Sequence, residues 1–264
     1  MEDFNQPVID EFRANNGRVG GWLEGARLLL LTTTGARSGA RRTVPLGYLP
    51  DGGERVLVIG SAGGSPRHPA WFHNVLANPR VTVEDGVFTY DADAVVLAGV
   101  ERDQAFARAV EADAGWGAYQ DKAARVLPVV ALVPVTGGPP TASSPGAALM
   151  LVHDAFRREL ALIRAEVAAS GGGIGAQLRV NCLTLCAGLH NHHTGEDVGL
   201  FPFLAGRHPE LVPTIDRLRS EHEAIAALVV QLQQVLAGAA ADVRTQVERL
   251  TAEVERHLAY RRRN

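Results

Sequence analysis

The chain has 264 residues, 46% of them hydrophobic and 21% charged, which excludes a mainly disordered or fibrous protein and suits one large domain or two smaller ones. Lys+Arg 26 against Asp+Glu 29 gives a net charge of -3, so no global basic field supports nucleic-acid binding, and two cysteines cannot make a disulfide framework. No apolar run approaches the roughly 18 residues of a membrane span; the first residues are acidic, unlike a signal peptide, and a cytoplasmic location is the expectation.

Phe4, Val8 and Phe12 recur every four residues and predict a short amphipathic helix. It is expected to pack on its own domain, with weak peripheral membrane contact as the alternative. Short apolar runs then alternate with Gly/Asp/Pro turns: Leu28–Thr32, Val44–Tyr48, Val56–Ile59, Arg80–Glu84, Phe88–Val96 and Val129–Val133. Asp51-Gly52-Gly53 and Asp85-Gly86 read as hairpin turns, because these residues tolerate positive φ. Pro69–Ala77 and Glu101–Ala112 read as helices. An antiparallel sheet or barrel with a few helices is predicted for residues 1–136. Residues 137–147, rich in Gly, Pro and Ser, read as a linker.

From residue 148 to 264 long helical stripes replace the strands. The first carries Leu149, His153, Phe156, Leu160, Ile163 and Val167; the second Leu178, Cys182, Leu185, Leu189, His192 and Glu196. The third carries Leu211, Ile215, Leu218, His222, Ile225, Val229 and Leu232; the fourth Val243, Val247, Leu250, Val254 and His257. Steps of three and four are the seams of an up-down four-helix bundle. The expected class is therefore α+β multidomain, a barrel followed by a bundle. Cys182 and Cys186 are expected as buried small residues.

Each stripe contains one histidine, and the second also contains Glu196. Burying four imidazoles and a carboxylate in one core is costly unless something binds them together. A metal ion does so, and imidazole suits iron and zinc. His192 and Glu196, four apart, point inward from adjacent turns. His153, the run His190-Asn-His-His-Thr-Gly-Glu196-Asp197, Glu221-His222-Glu223 and His257-Leu258 resemble the hemerythrin-like (HHE cation-binding) domain. The resemblance implies a non-haem iron centre, di-iron in that family, with His153, His192, Glu196, His222 and His257 as ligands. It leaves His190 and His193 as outer or additional ligands. Where the family carries a carboxylate four or five residues after the last histidine, this chain has Arg261 and Arg262. An arginine repels a cation and cannot ligate it.

Three motifs mark the first half. Gly35-Ala-Arg37-Ser38-Gly39-Ala-Arg41-Arg42 places guanidinium groups in a turn after a strand, which suits an anionic group. Ser61-Ala-Gly63-Gly64-Ser-Pro-Arg67-His68-Pro69-Ala-Trp71-Phe-His73-Asn74 runs from a strand end into a helix start. Tyr119-Gln-Asp-Lys-Ala-Ala-Arg125-Val-Leu-Pro128 feeds the last strand through an aromatic-polar helix. Together they resemble the deazaflavin-dependent nitroreductase family over roughly residues 15–135, and the resemblance implies an FMN-binding-like split β-barrel that uses coenzyme F420. By that resemblance Arg37, Ser38 and Arg42 face the cofactor's phosphate or acidic tail, Ser61, Gly63, Gly64, Trp71 and Asn74 build the walls, and Arg67 adds charge. It further implies hydride transfer to a quinone or nitro compound, with Tyr119 first and Ser61 second as the catalytic hydroxyl. Split barrels often pair, so a homodimer is also expected. The alternatives are an FMN- or haem-binding barrel, or a non-catalytic metal-binding sensor.

Overall fold

The computed structural model describes residues 5–135, 142, 144–170, 174–238 and 243–260. They form two compact units, a barrel and a bundle. Among the described residues no helix is long and apolar enough to cross a membrane.

The first unit holds β1 (Leu28–Thr34), β2 (Arg41–Pro50), β3 (Val56–Ile59), β4 (Arg80–Glu84), β5 (Thr89–Val96) and β6 (Val129–Pro134). They close in the order β1-β2-β3-β6-β5-β4, every pair antiparallel. The β1–β4 seam pairs Leu30 with Glu84, Leu31 with Val83 and Thr32 with Thr82. Closure removes the free edges of the sheet.

Burial explains which strands alternate and which do not. One cluster takes every second residue from β1, β3, β4, β5 and β6, including Leu29, Leu31, Val58, Val81, Val83, Ala92, Val130 and Leu132. Trp71, Phe72 and Val75 of α2 (Ala70–Ala77) join it. The other faces of β3 and β6, with Leu57, Ile59, Val129 and Ala131, pack on Ala105, Phe106 and Ala109 of α3 (Gly99–Ala112) and on Leu127. Leu28 and Leu30 of β1 pack on Ile9 and Phe12 of α1 (Asn5–Ala14). These three strands are covered on both faces, so Leu28–Leu31 is four leucines in succession and not an alternation. The N-terminal helix thus packs on its own domain; Phe4 lies outside the described residues. A further helix, α4 (Gly115–Ala123), precedes β6.

Both predicted hairpins are present. At the β4–β5 turn the Asp85 carboxylate accepts from the Val87 and Phe88 N–H groups, each at 2.8 Å. Gly86 sits there at φ +93°, with no room for a side chain.

The second unit holds α5 (Pro145–Ala169) from His153 onward, α6 (Ala176–Gly195) from Leu178 onward, α7 (Phe201–Arg207), α8 (Val212–Ala237) and α9 (Val243–Tyr260). Leu160, Ile163 and Val167 of α5, Leu178, Cys182, Leu185, Cys186 and Leu189 of α6, Ile225, Val229 and Leu232 of α8, and Val247, Leu250 and Val254 of α9 form one core. Both cysteines are fully buried, and burial pushes the Cys186 thiol up to about 12. The second stripe does not run on as one α-helix. After Gly195 the backbone widens into a π-turn, Glu196–Leu200, in which the Phe201 N–H donates to the Glu196 carbonyl.

A Cβ at Gly86 would lie 2.6 Å from Gly17 Cα and 2.7 Å from Asn16 O, whereas one at Gly52 would meet nothing within 4 Å. Gly86→Ala should therefore destabilise the barrel by about 1–3 kcal/mol for the left-handed backbone alone, and by more than Gly52→Ala does. All three tryptophans, Trp22, Trp71 and Trp116, lie in the first unit, so urea unfolding followed by their fluorescence measures this directly.

Candidate functional site

The barrel presents two loops, and α2 stands between them. The turn from β1 to β2 is closed by the Gly35 N–H to the Ala40 carbonyl at 2.8 Å and the Gly39 N–H to the Gly35 carbonyl at 2.9 Å. Ser38 turns its hydroxyl inward, accepting from the Ala40 N–H at 3.3 Å. Asn74, buried on α2, fixes this turn to the strand: Oδ1 accepts from the Ala36 N–H at 3.0 Å and Nδ2 donates to Thr33 Oγ1 at 2.9 Å. Arg37 and Arg42 are exposed, and neither guanidinium has a hydrogen-bond or ion-pair partner among the described residues. The same holds for Arg67 in the second loop.

That second loop follows β3. Ala62, Gly63 and Gly64 take φ values of +47°, +63° and +77° in succession, a left-handed turn that is strained at Ala62. A Cβ on Gly63 would meet nothing within 4 Å, so the backbone is open to close approach there. Arg125 holds the loop from within. Its guanidinium donates to the carbonyls of Ser65 (3.1 Å), Gly60 (3.0 Å), Ser61 (3.2 Å) and Arg67 (3.1 Å). It also lies 3.1 Å from His68 Nδ1. A guanidinium can only donate, so His68 Nδ1 is the acceptor of that bond; burial, then the nearby charges of Arg125 and His73, push the His68 pKa down. Lys122 of α4 adds a bond to the Gly63 carbonyl at 3.1 Å. Sequence reasoning quoted Arg125 within a motif but gave it no part; an arginine shortly before the Pro-led last strand was the available signal.

Ser61 is half-buried at the loop entrance, and Tyr119 is 41% exposed on α4, three residues from Lys122 and edge-on to Trp116. Trp71 and Asn74 are both engaged inside the protein. Trp71 is 6% exposed within the barrel core, and both ends of the Asn74 amide are bonded.

The bundle collects a second site at the end of its apolar core. His153 on α5, His192 on α6 and Glu196 at the π-turn form one trio. The Nε2 atoms of His153 and His192 are 2.9 Å apart, and Glu196 Oε1 lies 3.9 Å and 3.6 Å from them. His193, His222 and His257, all buried, form another. In each trio the candidate donor atoms lie within 4.8 Å of one another. Glu196 Oε2 is 3.2 Å from His222 Nε2, so this one carboxylate faces both trios. His193 stacks on His222 with ring centroids 4.1 Å apart and an interplanar angle of 11°.

Outer carboxylates set the tautomers. His222 Nδ1 is 2.9 Å from Asp197 Oδ1, and His257 Nδ1 is 2.8 Å from Glu221 Oε2. Each Nδ1–H donates outward, which turns the Nε2 atom inward, the usual arrangement behind a metal ligand. Arg217 Nε in turn donates to Glu221 Oε1 at 2.9 Å. Burial works against the Glu221 charge, but the bonds from His257 and Arg217 outweigh it and hold its pKa below the usual carboxylate value. Burial, followed by the neighbouring His222, His257 and His192, pushes His193 down to about 2, so its ring is neutral at physiological pH. All five predicted ligands thus come together, and His193 joins them. His190 is exposed and outside both trios. Arg261 and Arg262 lie outside the described residues.

The comparisons with known proteins divide at the same place. The family described as F420H(2)-dependent quinone reductase matches residues 6–134, and the hemerythrin HHE cation binding domain matches residues 144–261. An F420H(2)-dependent quinone reductase of Mycobacterium tuberculosis (strain ATCC 25618 / H37Rv) is 38% identical over 125 residues, 46% of this chain and 83% of that protein. One from strain CDC 1551 / Oshkosh has the same identity and coverage. A solved structure of an F420-H2 dependent reductase is 42% identical, covering 40% of this chain and 93% of that one, with a TM-score of 0.37. The chain belongs to the F420H(2)-dependent quinone reductase family by its N-terminal domain, an oxidoreductase-like barrel, and carries a metal-binding hemerythrin-like domain fused behind it.

Proposed function

We propose that the barrel binds coenzyme F420 and passes a hydride from its reduced form to a quinone- or nitro-type acceptor. The observation that carries this reading is unpaired positive charge on two ordered loops and the adjoining start of β2. Arg37, Arg42 and Arg67 flank α2 with no partner among the described residues, and Gly63 leaves the backbone beside them open. That set fits an anionic tail, which three guanidiniums attract and can grip through charge-assisted bonds. Asn74 and Arg125 act at one remove, holding the two loops so that little ordering remains to be done on binding. Reduced F420, when bound, supplies the hydride. Tyr119 and Ser61 offer hydroxyl groups to hydrogen-bond and orient the acceptor.

The bundle is read as a non-haem iron domain for O2 or NO binding, sensing or iron handling. The donor set fits: imidazole suits iron, and His193 carries a buried Nε2 with no hydrogen-bond partner among the described residues. Iron held there supplies affinity for a diatomic ligand. Fusion in one chain favours a joint role in redox defence.

Three outcomes test this reading. Arg37→Ala with Arg42→Ala should weaken F420 binding about 10- to 100-fold, less at high salt, as followed by cofactor fluorescence; unchanged affinity would remove the tail site. Tyr119→Phe and Ser61→Ala should each lower kcat for quinone reduction about tenfold or more; if both keep the wild-type rate, neither hydroxyl has the assigned role. Under oxygen, the iron-loaded full chain should consume reduced F420 at a different rate from the metal-free chain, and equal rates would dissociate the two halves.

A further inference from the structure

Lys122 is the only lysine in the chain; the rest of the 26 lysines and arginines are arginine. It stands near the end of α4 and lies on the glycine loop after β3. Its stem crosses Gly64, which is buried at φ +77°: a Cβ there would lie 2.8 Å from Lys122 Cδ and 3.1 Å from its Cβ and Cγ. Its ammonium donates to the Gly63 carbonyl at 3.1 Å. One carbonyl in a tight turn suits a compact ammonium with rotatable donors better than the planar arginine fork. An exposed ammonium–carbonyl bond is weak by itself, but a stem held along buried backbone leaves the head little freedom.

The loop's flanking carbonyls go to Arg125. It takes Gly60 and Ser61 before the left-handed turn, and Ser65 and Arg67 after it. The middle of the turn is left to Lys122. Both cations come from the same end of α4, where Ala124 caps the helix at φ +51°. Gln120 secures that end, accepting from the Leu127 N–H at 3.0 Å. Tyr119 stands one turn before Lys122 on this helix. Ser61 and Tyr119 therefore sit on the two parts that Lys122 joins.

We propose that Lys122 is a positioning residue: lying across Gly64, it locks α4 to the loop and so fixes where Tyr119 stands relative to Ser61. This rests on the F420-reductase reading of the barrel and deepens it. Acceptor orientation depends on a residue that itself contacts neither cofactor nor acceptor.

A single lysine makes the contact directly readable by NMR of the full chain. With 13C-labelled lysine, every side-chain signal belongs to Lys122. In the cofactor-free protein these signals should differ from those of free lysine, and Gly64→Ala, which intrudes on the stem, should return them. With 3-fluorotyrosine the four tyrosines give four fluorine signals, and the one lost in Tyr119→Phe is that of Tyr119. Lys122→Met keeps the stem and removes the ammonium; it should shift or broaden that signal and leave the other three in place. It carries the test alone should Gly64→Ala unfold the barrel. In quinone reduction Lys122→Met should lower kcat as much as Tyr119→Phe does, about tenfold or more. Its F420 affinity should stay within about threefold of wild type at physiological salt. In the Tyr119→Phe background it should lower kcat no further. Free-lysine signals in the wild type, an unmoved Tyr119 signal, an F420 affinity that falls with kcat, or full additivity with Tyr119→Phe each overturns the proposal. A wild-type chain that binds no F420 overturns the reading beneath it, and the lysine and fluorine signals, which need no cofactor, tell that failure apart.

Discussion

The bundle is shaped by the requirement that polar groups removed from water find partners. Its core is apolar from Val167 to Leu160 along α5 and from Leu178 to Leu189 along α6, and then five imidazoles and a carboxylate occupy one layer. Such a layer persists only if each ring is held in one tautomer and orientation. Asp197 and Glu221 do this from the outside, and Arg217 steadies Glu221. Phe201 also stacks on His222, at 5.5 Å between ring centroids and 15° between ring planes. The result is a set of imidazoles whose orientations are fixed by the side chains around them.

The barrel meets a different demand with similar means. Its strands are covered on one or both faces, which leaves chemistry to the loops at their ends. Two such loops carry the charged and glycine-rich segments, and each has a single side chain as its brace. Asn74 serves the first, with one bond in each direction. Arg125 serves the second, spreading its guanidinium over four carbonyls. The two braces turn segments rich in glycine, which would otherwise sample many shapes, into fixed surfaces.

Much of this was legible in the residues. The six strands and both Asp/Gly hairpins follow from short apolar runs between turn residues, and the helical stripes follow from steps of three and four. The grouping of His153, His192, Glu196, His222 and His257 follows from one histidine per stripe. His193 was harder to place, because it adjoins His192 and an α-helix turns about 100° per residue. Only a partner packed on that flank, here His222, shows that the wider face is buried. Asn74 and Trp71 sit in a motif read as ligand walls, with core packing as the other reading of Trp71; Asn74 closes a loop and Trp71 packs in the barrel core, and of these only the loop bonds of Asn74 had no sign in the sequence. Arg125 was equally opaque, since its partners are backbone carbonyls and carbonyls have no sequence signature.

The π-turn at Glu196–Leu200 gives chain length an unusual meaning in this bundle. It accommodates one residue more than α-helical spacing would between the helix that carries His192 and the one that begins at Phe201. Losing that residue would not shorten the bundle so much as rotate it: the segment before the turn would swing about 100° against the segment after it. Insertions and deletions at this single turn therefore act as a dial on side-chain direction, altering how Glu196 and Asp197 address their histidines while leaving every ligand in the sequence.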